Sequence, residues 1–146
     1  MSGEGAYEWV DGQLYRGEYK NGIENGLGIE TYPSGNSYFG DFVDRKYHGK
    51  GLFKWVEGQI YRGEWQNDLK HGLGVETYPD GGSYTGQYAN GNRHGTGLFK
   101  WASGHTYEGE FKNNKREGFG TLTYVNGCVE EGTFKNDKFM GEKRCN

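Results

Sequence analysis

Apolar and polar residues alternate with a period of two along most of the chain, in short runs separated by Asn, Asp, Gly and Pro. In YRGEW, Tyr61, Gly63 and Trp65 fall on one face of a strand and Arg62 and Glu64 on the other; further on, Gly72, Gly74, Glu76 and Tyr78 again share one parity. Polar segments such as KNGIEN, QNDLKH and ANGNRH read as turns of about six residues that join two strands into a hairpin. A second kind of turn, YPSGNSY or WVEGQIY, leads from one hairpin to the next. The pattern predicts an all-β chain of consecutive antiparallel hairpins.

The hairpins repeat. Tyr15, Tyr38, Tyr61, Tyr84 and Tyr107 are each followed by glycine two residues on and an aromatic four residues on, at a strict 23-residue interval. A glycine pair, an aromatic (Tyr32, Trp55, Tyr78, Trp101, Tyr124) and a turn glycine follow in every unit. The frame divides the chain into a half repeat at 1–14, full repeats at 15–37, 38–60, 61–83, 84–106 and 107–129, and a truncated one at 130–146. Residues 15–60 and 61–106 match at about half their positions, so a 46-residue pair of unlike hairpins is itself duplicated.

This pattern, Y-x-G-x-aromatic then G-x-G-x-x-x-aromatic-x-x-G, resembles the MORN (membrane occupation and recognition nexus) repeat over essentially the whole chain. The resemblance implies an elongated, twisted, single-layer antiparallel sheet of stacked β-hairpins. It also implies a non-enzymatic role, because in family members that catalyse the repeats accompany a separate catalytic domain. Similar repeats occur in radial-spoke components, parasite cytoskeletal scaffolds and adaptors for motor tails, and a phospholipid role is proposed for those of junctophilins and phosphatidylinositol phosphate kinases.

Strand glycines need a physical reason, since each lowers strand stability. If Trp65 pairs with Gly72, then Gly63 faces Gly74 and, across the next turn, Tyr78 faces Tyr84. Every glycine then leaves room for a ring on the same face, and cross-strand aromatic pairs stand in for a second layer. Composition fits: only 32% of residues are apolar and 28 are glycine, yet there are 12 Tyr, 8 Phe and 4 Trp, far more rings than a disordered chain carries. The net charge of -3 gives no general attraction to nucleic acid. Cys128 and Cys145, close together near one end, read as reduced thiols in a cytoplasmic protein.

One face should therefore be a ring-lined groove that holds a helix or extended peptide of another protein, through Tyr19, Phe42, Phe53, Trp55, Trp65, Tyr78, Tyr88, Phe99, Trp101 and Phe111. Glu30 and Glu76 should alternate with Phe53 and Phe99 as acidic bands that fix register. The opposite face carries an aliphatic stripe (Leu27, Ile29, Leu52, Leu73, Val75, Leu98). Arg45, Lys46, Lys70, Arg93, Lys115, Arg116 and Lys138 lie in the first turns, and as a basic edge they would suit an anionic phospholipid surface.

Neither a metal nor a cofactor is expected. His48, His71 and His94 repeat at 23 residues, about 10 Å apart in a sheet, too far to share one ion, and no serine has a triad-like neighbourhood. The glycine pairs lack the Lys-Ser/Thr of a phosphate loop. Glu130 and Glu131 should guard the C-terminal sheet edge against pairing, leaving the N-terminal half hairpin as a route to a homodimer. The leading expectation is a cytoplasmic scaffold or adaptor in a cytoskeletal or ciliary assembly, with a membrane-peripheral, phosphoinositide-binding module as the alternative.

Overall fold

A computed structural model describes residues 2–146. Thirteen strands form one open antiparallel sheet in which chain order is spatial order. They are β1 (Gly3–Glu8), β2 (Leu14–Lys20), β3 (Ile23–Thr31), β4 (Ser37–Val43), β5 (Lys46–Lys54), β6 (Ile60–Gln66), β7 (Leu69–Thr77), β8 (Ser83–Ala89), β9 (Asn92–Lys100), β10 (Thr106–Lys112), β11 (Lys115–Thr123), β12 (Val129–Lys135) and β13 (Lys138–Phe139).

The hairpin turns are tighter than the polar segments implied. Each has two central residues rather than six, such as Asn67-Asp68 or Asn113-Asn114, and both have positive φ. That is the φ pattern of a type I′ turn, whose twist matches that of the flanking strands, and Asn, Asp and Gly tolerate it best. The polar residues after the turn belong to the next strand. Successive turns are laced together: Asp68 N–H donates to the Tyr47 carbonyl at 2.9 Å and Asp137 N–H to that of Arg116 at 3.0 Å.

Gly63 does face Gly74, but Trp65 pairs with Lys70, and Gly72 pairs with Tyr88 of β8. A bulge between Gly63 and Trp65 shifts the register. Three residues of β7, His71, Gly72 and Leu73, lie opposite the single Glu64 of β6, which turns its carboxylate back to accept the Leu73 N–H at 2.6 Å, directly beneath Gly72, where a Cβ would lie 2.7 Å from Glu64 Oε2. Gly72 also has a φ of +71°, so glycine is required there twice over. Glu18, Asp41, Gln87 and Glu110 make the same backbone contact in the other repeats. Nor does Tyr78 face Tyr84, whose partner is Glu76; Tyr78 opens the linking turn, which closes through Gly81 N–H to the Tyr78 carbonyl at 2.9 Å.

The bulge explains the leading tyrosine. Tyr61 Oη donates to the Glu64 carbonyl at 2.8 Å, which draws its ring across the Gly63–Gly74 pair. Tyr15, Tyr38, Tyr84 and Tyr107 do likewise, and all five are 0% exposed. Beyond the first repeat, the aromatic four residues on from each of these tyrosines then wedges between its own tyrosine and that of the preceding repeat. Tyr19, Tyr15, Phe42, Tyr38, Trp65, Tyr61, Tyr88, Tyr84, Phe111, Tyr107 and Phe134 form one edge-to-face zipper, with neighbouring centroids 5.0–5.7 Å apart. Such contacts contribute about 0.5–1.5 kcal/mol each beyond the area they bury. A single layer thus acquires a continuous core.

The C-terminal end departs from expectation. After the Asn136-Asp137 turn the chain runs back along β12, so that Arg144 bridges Val129 and Cys145 is disulfide-bonded to Cys128. The two thiols are joined, not free. Nor are Glu130 and Glu131 an exposed last edge: Arg144 pairs with Glu131 at 3.1 Å, and the tail covers the strand that carries them.

Candidate partner-binding face

Five of the rings expected in the groove are core. Tyr19, Phe42, Trp65, Tyr88 and Phe111 are at most 8% exposed, since all but Tyr19 are clamped between two tyrosines. Trp65 also spends its indole N–H on the Gly51 carbonyl at 3.1 Å. They build the platform, and a partner cannot reach them.

The two glutamates are likewise interior, not acidic bands. Glu30 accepts from Gln13 Nε2 at 3.0 Å and from the hydroxyls of Tyr32 and Tyr47 at 2.5 and 3.0 Å. Glu76 accepts from Gln59, from Tyr88 Oη at 2.7 Å and from Lys70 Nζ at 3.0 Å. These bonds compensate the burial of each carboxylate. Burial first, and the carboxylate beside it second, pushes the Tyr88 phenol well above its usual range.

What remains open on this face is a second column of half-buried rings: Tyr32, Trp55, Tyr78, Trp101 and Tyr124, one per repeat, with Trp9 at the start. Phe53 packs on Trp55 with centroids 4.4 Å apart, and Phe99 on Trp101 at 4.7 Å. Cations complete the two alternate modules: Lys70 lies 5.1 Å from the Trp55 ring centre and Arg116 5.7 Å from that of Trp101. Tyr78, Pro79, Asp80, Arg93, Phe99 and Trp101, with Gly82 and Ala102, line a cleft of about 430 Å³.

The basic edge is divided. Lys70, Arg93 and Arg116 fold inward over the rings, and Arg45 pairs with the buried Glu24 at 2.9 Å. Only Lys46, Lys115 and Lys138 stand exposed without a carboxylate partner among the described residues. The sequence reading missed the column Glu24, Tyr47, Lys70, Arg93, Arg116 and Phe139, although its 23-residue spacing was visible; the assumed long turn hid it. Arg93 lies 5.2 Å from the Phe99 ring centre and donates to Tyr78 Oη at 3.3 Å and to the Asn114 carbonyl at 2.9 Å. Its Nε has no partner, and no carboxylate pairs with it among the described residues.

On the opposite face Leu27, Ile29, Leu73 and Val75 are exposed, with Phe39 and Phe119, which the sequence reading had not singled out. Leu27, Phe39, Leu52, Arg62, Glu64 and Leu73 line a shallow depression of about 780 Å³ there. His48 serves its turn, its Nδ1 accepting the Asn67 N–H at 3.3 Å.

An open sheet whose core and exposed column both recur once per hairpin defines a β-hairpin repeat protein. The family model of the MORN repeat matches residues 1–14, 15–37, 38–60, 61–83, 84–106, 107–129 and 131–142, and the chain belongs to that family. No curated protein matches it in sequence. Among solved structures, the TCP domain of SAS-4 (dCPAP) from Drosophila melanogaster, in complex with a proline-rich motif of Ana2 (dSTIL), is similar with a TM-score of 0.53 and 12% identity, over 87% of this chain and 70% of that one. The TCP10c domain of Drosophila melanogaster Sas-4 aligns over 97% of this chain and 90% of that one, at 11% identity and a TM-score of 0.49. At such identity the likeness is one of fold.

Proposed function

We propose that this chain is a non-enzymatic scaffold that binds an extended segment of a partner protein along the column Tyr32, Trp55, Tyr78, Trp101 and Tyr124. The observation that carries the reading is the separation of the rings into two columns. One is sealed as core, and the other is left half-open in line across the strands. Rigid aromatic rings supply contact area at low entropic cost, which suits them to binding hot spots. The domain of similar fold that is in complex with a proline-rich motif lends support. The setting we propose is a cytoskeletal or ciliary assembly in the cytoplasm, where proteins with similar repeats work.

The test is selection of linear peptides from a displayed random library on the immobilised protein and on a folded Trp55→Ala/Trp101→Ala variant. Peptides enriched on the parent and lost on the variant support the column as the site. Absence of enrichment, or equal enrichment on both, refutes it. The lipid alternative is weaker, because three of its seven cations are engaged with rings and a fourth with Glu24. Sedimentation with anionic vesicles that fell as salt rose would revive it.

A further inference from the structure

The exposed column has a fixed pitch. Two strands per repeat at about 4.8 Å place Tyr32, Trp55, Tyr78, Trp101 and Tyr124 roughly 9.6 Å apart. A polyproline II helix has three residues per turn and rises about 3.1 Å per residue, so it returns the same face every 9.3 Å or so. The other regular conformations do not match. An extended strand covers the interval in about three residues, which turns successive anchors to opposite sides. An α-helix covers it in about 6.4 residues, short of two full turns.

Two features of the column match that conformation chemically. The backbone of a polyproline II segment has no internal hydrogen bonds, so its carbonyls are free to accept. The indole N–H groups of Trp55 and Trp101 have no acceptor among the described residues, in contrast to that of the core Trp65. Aromatic grooves of this type recognise prolines by ring contact while side-chain donors hold the peptide carbonyls. The cleft between Tyr78 and Trp101 is lined by two charges: Asp80, whose carboxylate accepts the Gly82 N–H of its own turn at 2.8 Å, and Arg93, which forms no ion pair among the described residues.

We propose that the segment bound by this column is a polyproline II helix with proline or another apolar residue at every third position, one turn per repeat. An acidic residue lies next to the proline seated in the Tyr78–Trp101 cleft, facing Arg93. This rests on the partner-binding reading above and sharpens it: the array is a ruler with a three-residue unit. The duplication adds a coarser mark, since the Phe-Trp pairs recur every second repeat and make every sixth position the most demanding.

The experiment uses synthetic peptides of equal length and composition, each with the same number of prolines but spaced three, four or two residues apart, titrated against the full chain by calorimetry. The every-third peptide should bind at least about tenfold more tightly than the others, the gain expected when several anchors engage at once. Replacing its acidic residue by the amide should weaken binding several-fold, and Trp55→Ala/Trp101→Ala should abolish it. Equal affinity for all spacings, or preference for another, overturns the ruler. If none of these peptides binds while library-selected peptides bind in a Trp55- and Trp101-dependent way, the ruler falls and the partner-binding column stands. If neither class binds, both fall.

Discussion

The paired strand glycines test how the core is built. At Gly74 an added Cβ would lie 2.4 Å from Tyr61 Oη and 2.5 Å from its Cε1, and the ring cannot lift without leaving Trp65 and Tyr88. At Gly63 the obstruction is mainly backbone, with Gly74 Cα at 2.5 Å and the Leu73 carbonyl oxygen at 2.6 Å. Overpacking of this kind costs about 1–3 kcal/mol, offset by about 0.4–1 kcal/mol from a less flexible unfolded chain. Gly74→Ala should therefore destabilise by about 1–2 kcal/mol in urea titrations followed by tryptophan fluorescence and circular dichroism. Tyr61→Ala should itself cost about 3–5 kcal/mol, as other buried rings do. In that background Gly74→Ala should become neutral or slightly stabilising, because the obstructing ring is gone, whereas Gly63→Ala should keep its cost. Should Tyr61→Ala leave too little folded protein, Tyr15 with Gly28 and Gly17 provides the same cycle nearer the end of the zipper. Equal penalties for Gly74→Ala with and without the ring would refute this account of the glycines.

Alkaline pH should unfold the chain through its core. Burial pushes Tyr84 and Tyr107 from 10.0 up to about 12, so the fold favours the neutral phenol; its contribution is complete below pH 10 and lost as pH rises through 12, and phenolate absorbance should rise together with the loss of β-sheet signal. Opening the Cys128–Cys145 bond, which closes a 17-residue separation, should cost about 3 kcal/mol at the C-terminal end, and amide exchange should then quicken at Val129 and Arg144 while β4 to β9 stay protected. Unchanged protection would mean that the tail holds without its bond. Glu76→Gln should destabilise by about 1–3 kcal/mol in thermal melts, since Lys70 loses its buried counter-charge, whereas Phe119→Ala on the open opposite face should cost under about 1 kcal/mol. Equal losses would contradict the one-sided core.

The architecture was legible because a repeat multiplies a weak signal: one Y-x-G-x-W is ambiguous, but five in register are not. The faces were legible too, since parity survives any pairing. Register was not, and the reason is local. The bulge opposite Glu64 adds two residues to β7 just where alternation was used to count, so Trp65 moved from Gly72 to Lys70. The same error lengthened the turns and put Lys70, Arg93 and Arg116 at an edge. The fate of Glu30 and Glu76 depended on partners 12 to 17 residues away, Gln13 and Gln59 in linking turns and Tyr47 and Tyr88 in β5 and β8, which alternation does not encode.

The misassigned rings carry the wider lesson about how such a sheet divides its work. Trp65 and Trp55 both face the aromatic side, and composition treats them alike. Trp65 follows the bulge, is trapped between Tyr38 and Tyr61, and donates its indole N–H internally. Trp55 stands at the start of a linking turn, where its amide N–H is bound to the Gln59 carbonyl and its half-buried ring meets Phe53 and Lys70. Position within the hairpin, and not residue type, separates support from display. Because each repeat packs mainly on its neighbours, changes to the displayed column should pass little strain to the zipper. That insulation lets Tyr32, Trp55, Tyr78, Trp101 and Tyr124 differ from repeat to repeat around a core whose leading tyrosines do not vary, and so lets one duplicated scaffold acquire a register of its own.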